Sequence, residues 1–198
     1  MKIIVIRHGH TEWNAQGRYM GHLDAPLTAR GLQQAEMLAQ RLARLELHSI
    51  YSSDLGRAQR TAQIIADACG LPVCVDSMLR ERHMGVFQSL TREEISQRFP
   101  DELHAYDEDV NGYVIPTGES GVQRGERSLR ALRQIAECHE NQTVLVATHG
   151  GVLLGLFELA LGLVPNHGAR FRRDNASFNA FGYDNGSWIL ERGCPDSC

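Results

Sequence analysis

The sequence predicts one α/β domain: a three-layer sandwich with a mostly parallel central sheet, one antiparallel strand and helices on both faces. Three observations predict it. Short apolar runs alternate with segments of helical period, the pattern of strands joined by crossover helices. Two of the runs, Ile3 to Ile6 and Thr143 to Ala147, are nearly continuous in apolar residues, as strands covered on both faces must be. Two late segments flank Asp184-Asn185-Gly186, a strong hairpin signal that requires an antiparallel strand.

Taken in order, Ile3-Ile4-Val5-Ile6 stops at Arg7-His8-Gly9 and reads as a buried strand. A loop follows from Glu12 to Leu27, broken by Gly17, Gly21, Asp24 and Pro26, with Asn14, Arg18 and His22 able to fold back over the strand end. Thr28 is an N-cap for a helix whose stripe is Leu32, Ala35, Leu38, Ala39, Leu42 and Leu45. Ser49 to Ser53 is a short strand. Asp54 is expected to cap the next helix, which carries Arg57, Thr61, Ile64 and Ile65 to Cys69 and ends at Gly70. Pro72 to Val75 is a third strand, with Leu79-Arg80-Glu81 beyond it.

Thr91-Arg92-Glu93-Glu94 has capping-box spacing and opens a short helix ending at Pro100, with Glu93 and Glu94 on a solvated face. The stretch 101–121 carries acidic and aromatic residues, Gly112, Pro116 and Gly118, and is expected to be an irregular excursion forming a lid beside the site. Gln123 to His139 is helical. The strand from Thr143 ends in Thr148-His149-Gly150-Gly151, and a helix runs from Val152 to Leu161. Ser177 to Tyr183 and Ser187 to Arg192 form the hairpin.

Composition narrows the function. The chain has 198 residues, 42% hydrophobic and 22% charged, enough for a sizeable core. A formal net charge of −4 argues against a general nucleic-acid binder. Met1-Lys2 leads directly into a strand, with no signal-like segment. The most apolar later stretch, Val152 to Val164, contains Glu158 and is too short to span a bilayer. A soluble, cytoplasmic protein with no membrane partner is expected. The five cysteines, Cys69, Cys74, Cys138, Cys194 and Cys198, are odd in number and suit buried thiols in a reducing compartment. No His lies near Cys194 and Cys198 to complete a zinc site. No heptad seam is visible, and a homodimer is left open.

In open α/β sheets ligands bind beyond the carboxyl ends of the strands, where Arg7 and His8 fall. Arg offers a fork of donors suited to phosphate, and neutral imidazole is a nucleophile near neutral pH. Gly9 lets the backbone turn sharply there. The His-Gly device recurs at His149-Gly150. If the two strands are neighbours, His8 and His149 meet at one sheet edge, with Arg7 and Arg57 supplying positive charge and Glu81 a carboxyl group.

At this point the chain resembles the histidine phosphatase superfamily, the phosphoglycerate mutase-like proteins. The resemblance is carried by Arg7-His8-Gly9-His10-Thr11-Glu12-Trp13-Asn14, Gly17-Arg18-Tyr19-Met20-Gly21 and Asp24-Ala25-Pro26-Leu27-Thr28. It continues through Ser52-Ser53-Asp54-Leu55-Gly56-Arg57-Ala58-Gln59-Arg60-Thr61-Ala62, Leu79-Arg80-Glu81, Gly118-Glu119-Ser120 and Thr148-His149-Gly150-Gly151. It implies His8 as nucleophile, Glu81 as proton donor, and Arg7, Arg57 and His149 around the phosphoryl oxygens. Asn14, Arg18 and Gly150 are expected to bind phosphate or substrate. His10, His22 and His83 are expected outside this inner set. Neither metal nor cofactor is implied.

The short chain resembles the compact phosphatase branch. The expected function is a metal-independent phosphomonoesterase working through phosphohistidine on a small molecule, with α-ribazole-5′-phosphate or a broad range of esters as substrate. The alternatives are a 2,3-bisphosphoglycerate-dependent phosphoglycerate mutase and, in another class, an inactive phosphate-binding or docking module. Asp101, Glu102, Asp107, Glu108 and Asp109 would repel a bisphosphate if they faced the pocket. Tyr106, Tyr113, Phe87 and Met84 are candidates for an apolar wall. One departure stands out: compact relatives often show Gly-x-x-x-Gly after the acid, and here Gly85 is followed by Ser89.

Overall fold

The computed structural model describes residues 1–164 and 171–192. In chain order the elements are β1 (Lys2–Arg7), α1 (Glu12–Ala15), α2 (Ala29–Leu42), β2 (Ser49–Ser52), α3 (Gly56–Cys69), β3 (Val73–Val75), α4 (Arg92–Arg98), α5 (Pro100–Glu108), α6 (Gly121–Cys138), β4 (Thr143–Thr148), α7 (Gly150–Ala160), β5 (Phe178–Asp184) and β6 (Ser187–Arg192). The strands form one sheet in the order β3-β2-β4-β1-β5-β6. β1, β2, β3 and β4 pair parallel, whereas β5 runs against both β1 and β6. The mixed sheet therefore has the single reversed strand that the hairpin demanded. Its turn places Asn185 and Gly186 at φ 48° and 80°, the left-handed pair that a two-residue hairpin requires.

Alternation along the strands divides the core. Ile3, Val5, Val144 and Val146 pack with Leu132, Ile135, Leu153 and Leu156 of α6 and α7. Ile4, Ile6, Ile50 and Leu145 pack on the opposite face with Leu38, Leu42 and Ile65 of α2 and α3. Successive side chains of a strand point to opposite faces, so a continuous apolar run serves both layers. Each fully buried aliphatic contributes about 1.5–3 kcal/mol. A third cluster, around Phe87, Ile95, Leu103 and Ile115, lies under α4 and α5 and supports the cap over the sheet edge.

Several local expectations are corrected. The loop after β1 contains a helical turn, α1, closed by a Thr11–Asn14 capping box. Asp54 does not cap α3: its carboxylate is bound by Arg80 at 2.7 and 2.5 Å. The cap comes from Asp24, whose carboxylate accepts the Gly56 and Arg57 N–H groups at 2.6 and 3.3 Å. The first part of 101–121, through Glu108, is regular, because Pro100 sits at the start of α5, where its missing N–H costs nothing. Thr91 and Glu94 form the expected capping box, but Glu94 is not merely solvated, since it also receives Arg18. Cys74 and Cys138 are exposed, not buried, and Cys69 is half-buried. β3 is an edge strand, and Cys138 ends α6, so neither position reaches the core. The pair Cys194 and Cys198 lies outside the described residues.

Candidate active site

Parallel pairing of β1 with β4 sets Arg7 opposite Thr148, so Arg7-His8 and Thr148-His149 leave the sheet at one edge. His8 extends the ladder by donating its N–H to Thr148 O at 2.9 Å. The two imidazoles are buried, with ring centroids 5.3 Å apart. His8 Nδ1 lies 2.8 Å from Gly9 O. A carbonyl can only accept, so Nδ1 carries the proton and Nε2 keeps its lone pair. His149 Nε2 lies 2.9 Å from Ser53 Oγ, which already accepts the Leu55 N–H at 3.3 Å. Ser53 Oγ can give its proton to His149 Nε2, and in that tautomer the His149 proton sits on Nδ1, which is buried with no protein partner among the described residues.

Burial and nearby charge keep both rings neutral. Burial, then Arg57, lowers each of them well below the ordinary histidine value, with Arg7 adding to the effect. Arg57 is nearly inaccessible and is tied by Nη1 to Leu23 O and Asp24 Oδ1, both at 2.8 Å, and by Nη2 to Gly21 O at 2.9 Å. Arg7 Nη1 donates to Arg173 O at 2.5 Å. The Nε atoms of both arginines are buried without an acceptor among the described residues.

Glu81 follows a short 3-10 turn, Ser77–Leu79. Thr148 Oγ1 donates to Leu79 O at 2.8 Å, and Arg127 donates to Met78 O and Arg80 O at 2.7 and 3.1 Å. The carboxylate accepts the Arg82 N–H on Oε1 and the Gly151 N–H on Oε2, each at 2.9 Å. Burial pushes Glu81 up, but Arg124, these two N–H groups and Arg57 outweigh it and leave it below the usual carboxylate range. Near neutral pH Glu81 is therefore ionised.

A cavity of about 280 Å³ brings together Arg7, His8, Asn14, Arg18, Arg57 and Glu81, with Tyr19, Met84, Tyr106, Val110 and Leu154 on its apolar side. Asn14 Oδ1 accepts from Thr11 N–H and Asn175 Nδ2, both at 3.1 Å, which leaves the amide donors of Asn14 for the cavity. Arg18 lines the cavity as expected, and its guanidinium also donates to Glu94 (2.7 and 3.2 Å), Ser89 O (2.6 Å) and Gln16 (2.9 Å), so it braces α4. Gly150 lines a neighbouring depression, and its successor Gly151 faces the central cavity. Met84 and Tyr106 do form part of the wall; Phe87 and Tyr113 instead pack in the cluster beneath it. None of the five acidic residues between 101 and 109 lines the cavity. Asp107 pairs with Arg92, and Asp109 accepts the Gly112 N–H.

Residues that sequence reasoning missed are Arg82, Arg124, Arg173 and Asn175. Arg124 had a signal: Gly121, Arg124, Ser128, Ala131 and Ile135 recur at helical spacing, which places the arginine on the buried face of α6. Asn175, which donates to His8 O at 3.0 Å, lies in a loop whose approach no local pattern announces. Among the described residues no cluster of His, Cys, Asp and Glu could hold a metal, and no helix is long and apolar enough to cross a membrane.

A six-stranded, mostly parallel sheet whose edge gathers two buried imidazoles, two arginines and a carboxylate defines a phosphoglycerate mutase-like α/β protein. The chain belongs to the histidine phosphatase superfamily (branch 1), whose family model matches residues 3–194. It is 39% identical over 194 residues to phosphoglycerate mutase-like protein 4 of Arabidopsis thaliana, covering 96% of this chain and 83% of that one. The structure of Bacillus stearothermophilus YhfR superposes with a TM-score of 0.90 at 33% identity, covering 96% of this chain and 95% of that one. The α-ribazole phosphatase of Shigella flexneri does so with a TM-score of 0.89 at 29% identity, covering 99% and 96%.

Proposed function

We propose that the protein is a phosphomonoesterase that works through a phosphohistidine on His8 and needs no metal. The observation that carries this reading is the tautomer of His8: the Gly9 carbonyl holds the proton on Nδ1 and presents an unprotonated Nε2 beside Arg7, Arg57 and His149. In the first step Nε2 attacks phosphorus, the ester P–O bond breaks, and protonated Glu81 gives its proton to the departing alkoxide. Arg7, Arg57, His149 Nδ1–H and Asn14 stabilise the equatorial oxygens. In the second step water attacks phosphorus, the P–N bond returns its electrons to Nε2, and Glu81 takes the proton from water.

Glu81 starts ionised, so its acid role depends on the bound phosphate, whose negative charge offsets Arg7 and Arg57 and raises the carboxyl toward protonation. The cavity has room for a phosphoryl group and a small alcohol. Its wall of Tyr19, Met84, Tyr106 and Leu154 suits a leaving group with an apolar face. This supports an α-ribazole-5′-phosphate-like ester or a broad range of such esters, and the likeness to the Shigella flexneri phosphatase points the same way.

The mutase is a second reading, favoured by the cationic cleft and by the name of the Arabidopsis relative. The acidic stretch does not argue against it, because its carboxylates face elsewhere. Phosphate release from α-ribazole phosphate, phosphoserine, phosphoglycerates, sugar phosphates and an aryl phosphate, with chelator present, decides between them. Chelator-resistant release that His8→Ala abolishes is expected. Phosphoglycerate exchange with little phosphate release would establish the mutase. Phosphate binding with neither activity would mean a docking module.

A further inference from the structure

Arg124 is 5% exposed, and its Nε and Nη1 donate to no described residue. Burying two guanidinium nitrogens without acceptors is costly, and what the charge does nearby must offset that cost. The carboxylates that bear most on it are Glu81 and Glu158. Helix α7 is cut away along the path to the first. A Cβ on Gly151 would collide with Glu81 Oε1 and stand 3.3 Å from Arg124 Nε, and a Cβ on Gly155 would stand 2.8 Å from Arg124 Nη1. These two glycines lie one turn apart, so they share a face and open one slot through which Arg124 approaches Glu81.

We propose that Arg124 is a positioning residue that keeps Glu81 a carboxylate during the second half of turnover, when water attacks the phosphohistidine. This rests on the phosphohistidine reading above. The groups facing Glu81 have separate duties. Arg7 of β1 and Arg57 of α3 also bear on His8, so a phosphoryl group there offsets their charge. The Gly151 and Arg82 N–H groups hold the carboxylate by hydrogen bonds, Tyr106 of α5 faces it across the cavity, and Arg173 lines the same space. Arg124 lowers Glu81 more than Arg57 does and is not among the cations that bear most on His8, so a phosphoryl group there offsets it less. Water gives its proton to Glu81 as the O–P bond forms and the P–N bond breaks, and Glu81 releases that proton once the phosphate departs. Without Arg124 the balance moves toward the protonated carboxyl, which cannot accept it.

Rapid-quench kinetics with an aryl phosphate, whose leaving group departs without an acid, test this. In Arg124→Gln the phosphohistidine should accumulate, its hydrolysis slowing about tenfold relative to its formation. The acid limb of hydrolysis should move up by about one pH unit. Arg124→Lys should recover most of both effects. Equal slowing of formation and hydrolysis with an unmoved limb, or no recovery with Lys, overturns the proposal. Should Arg124→Gln not fold, a 13C carboxyl titration of Glu81 in the unaltered protein and in Gly155→Ala, which crowds Arg124, reads the same field. The carboxyl should titrate below the ordinary range and move up in Gly155→Ala, and a Glu81 protonated at pH 7 in the unaltered protein overturns the proposal. This titration needs no turnover. If no ester yields phosphohistidine, the phosphatase reading fails while Arg124 is still judged.

Discussion

The rings of His8 and His149 lie 5.3 Å apart at 57°, both enclosed and both neutral beneath the same two arginines. Stability must then depend on pH. In the unfolded chain each histidine protonates near its ordinary value, about 6.5, whereas in the folded protein each stays neutral to much lower pH. Between these limits the unfolded state binds more protons, so stability is full above about pH 6.5 and falls as pH drops. The slope should approach 1.4 kcal/mol per pH unit for each ring, about 2.7 for the pair. Urea midpoints at pH 7.5, 6.5 and 5.5 measure it, and His149→Gln should remove about half of the slope in that window. An unchanged slope would mean that His149 is not the buried neutral base described.

Arg18 and Glu94 form a two-pronged pair at 2.7 and 3.2 Å that ties the segment after α1 to α4. Arg18→Ala should therefore lower the melting temperature while leaving the affinity for inorganic phosphate unchanged. Thermal unfolding and phosphate titration separate the two effects. Loss of phosphate binding without loss of stability would return Arg18 to the substrate-binding role expected from the sequence.

Ser89 has φ 67°, a conformation in which a side chain is strained. Its N–H donates to Tyr19 O at 2.8 Å and its carbonyl receives Arg18, so the chain cannot relax there without losing both bonds. Ser89→Gly keeps these backbone bonds and removes the strain, at some cost in unfolded-state entropy. A net gain of about 0.5–1 kcal/mol is expected, read by calorimetry. A loss would show that the serine side chain contributes an interaction beyond its backbone.

Much of this arrangement was legible because it is local or because it repeats. Ile3-Ile4-Val5-Ile6 and Val144-Leu145-Val146-Ala147 announce strands, and their shared His-Gly ends locate the edge where His8 and His149 meet. Capping boxes such as Thr91 with Glu94 are set by neighbours in sequence and were readable for the same reason. What escaped depends on partners far along the chain. Asp54 has the composition of a cap, but Arg80 claims it, and Asp24 caps α3 from thirty-two positions away. Arg18 lines the cavity as its motif implies, but its pairing with Glu94, far along the chain, was not readable. Net acidity across 101–109 says nothing about where each carboxylate lies, and none of them lines the cavity.

Arg82 shows how such a distant partner shapes the cleft, and it yields a separate prediction. Its guanidinium donates to Glu119 O at 2.9 Å, Val110 O at 2.5 Å and Tyr113 O at 2.6 Å, and lies 5.1 Å from the Tyr106 ring centroid. One side chain thus binds three carbonyls of the segment between α5 and α6, and Val110 and Asn111 of that segment line the cavity. Charged hydrogen bonds contribute about 1.5–3 kcal/mol each, but carbonyls on a loop can regain water when released, so Arg82→Ala should cost about 3 kcal/mol rather than the sum. The loss should be local in its effect. Amides from Asp109 to Glu119 should exchange faster, those of β1 and β4 should keep their relative protection, and KM should rise more than kcat falls, because the loosened wall holds the leaving group and not the phosphoryl centre. Hydrogen exchange and steady-state kinetics on the same preparation test this. Uniform loss of protection would make Arg82 a general core residue, and a fall in kcat at constant KM would place its guanidinium charge in the chemistry through Glu81.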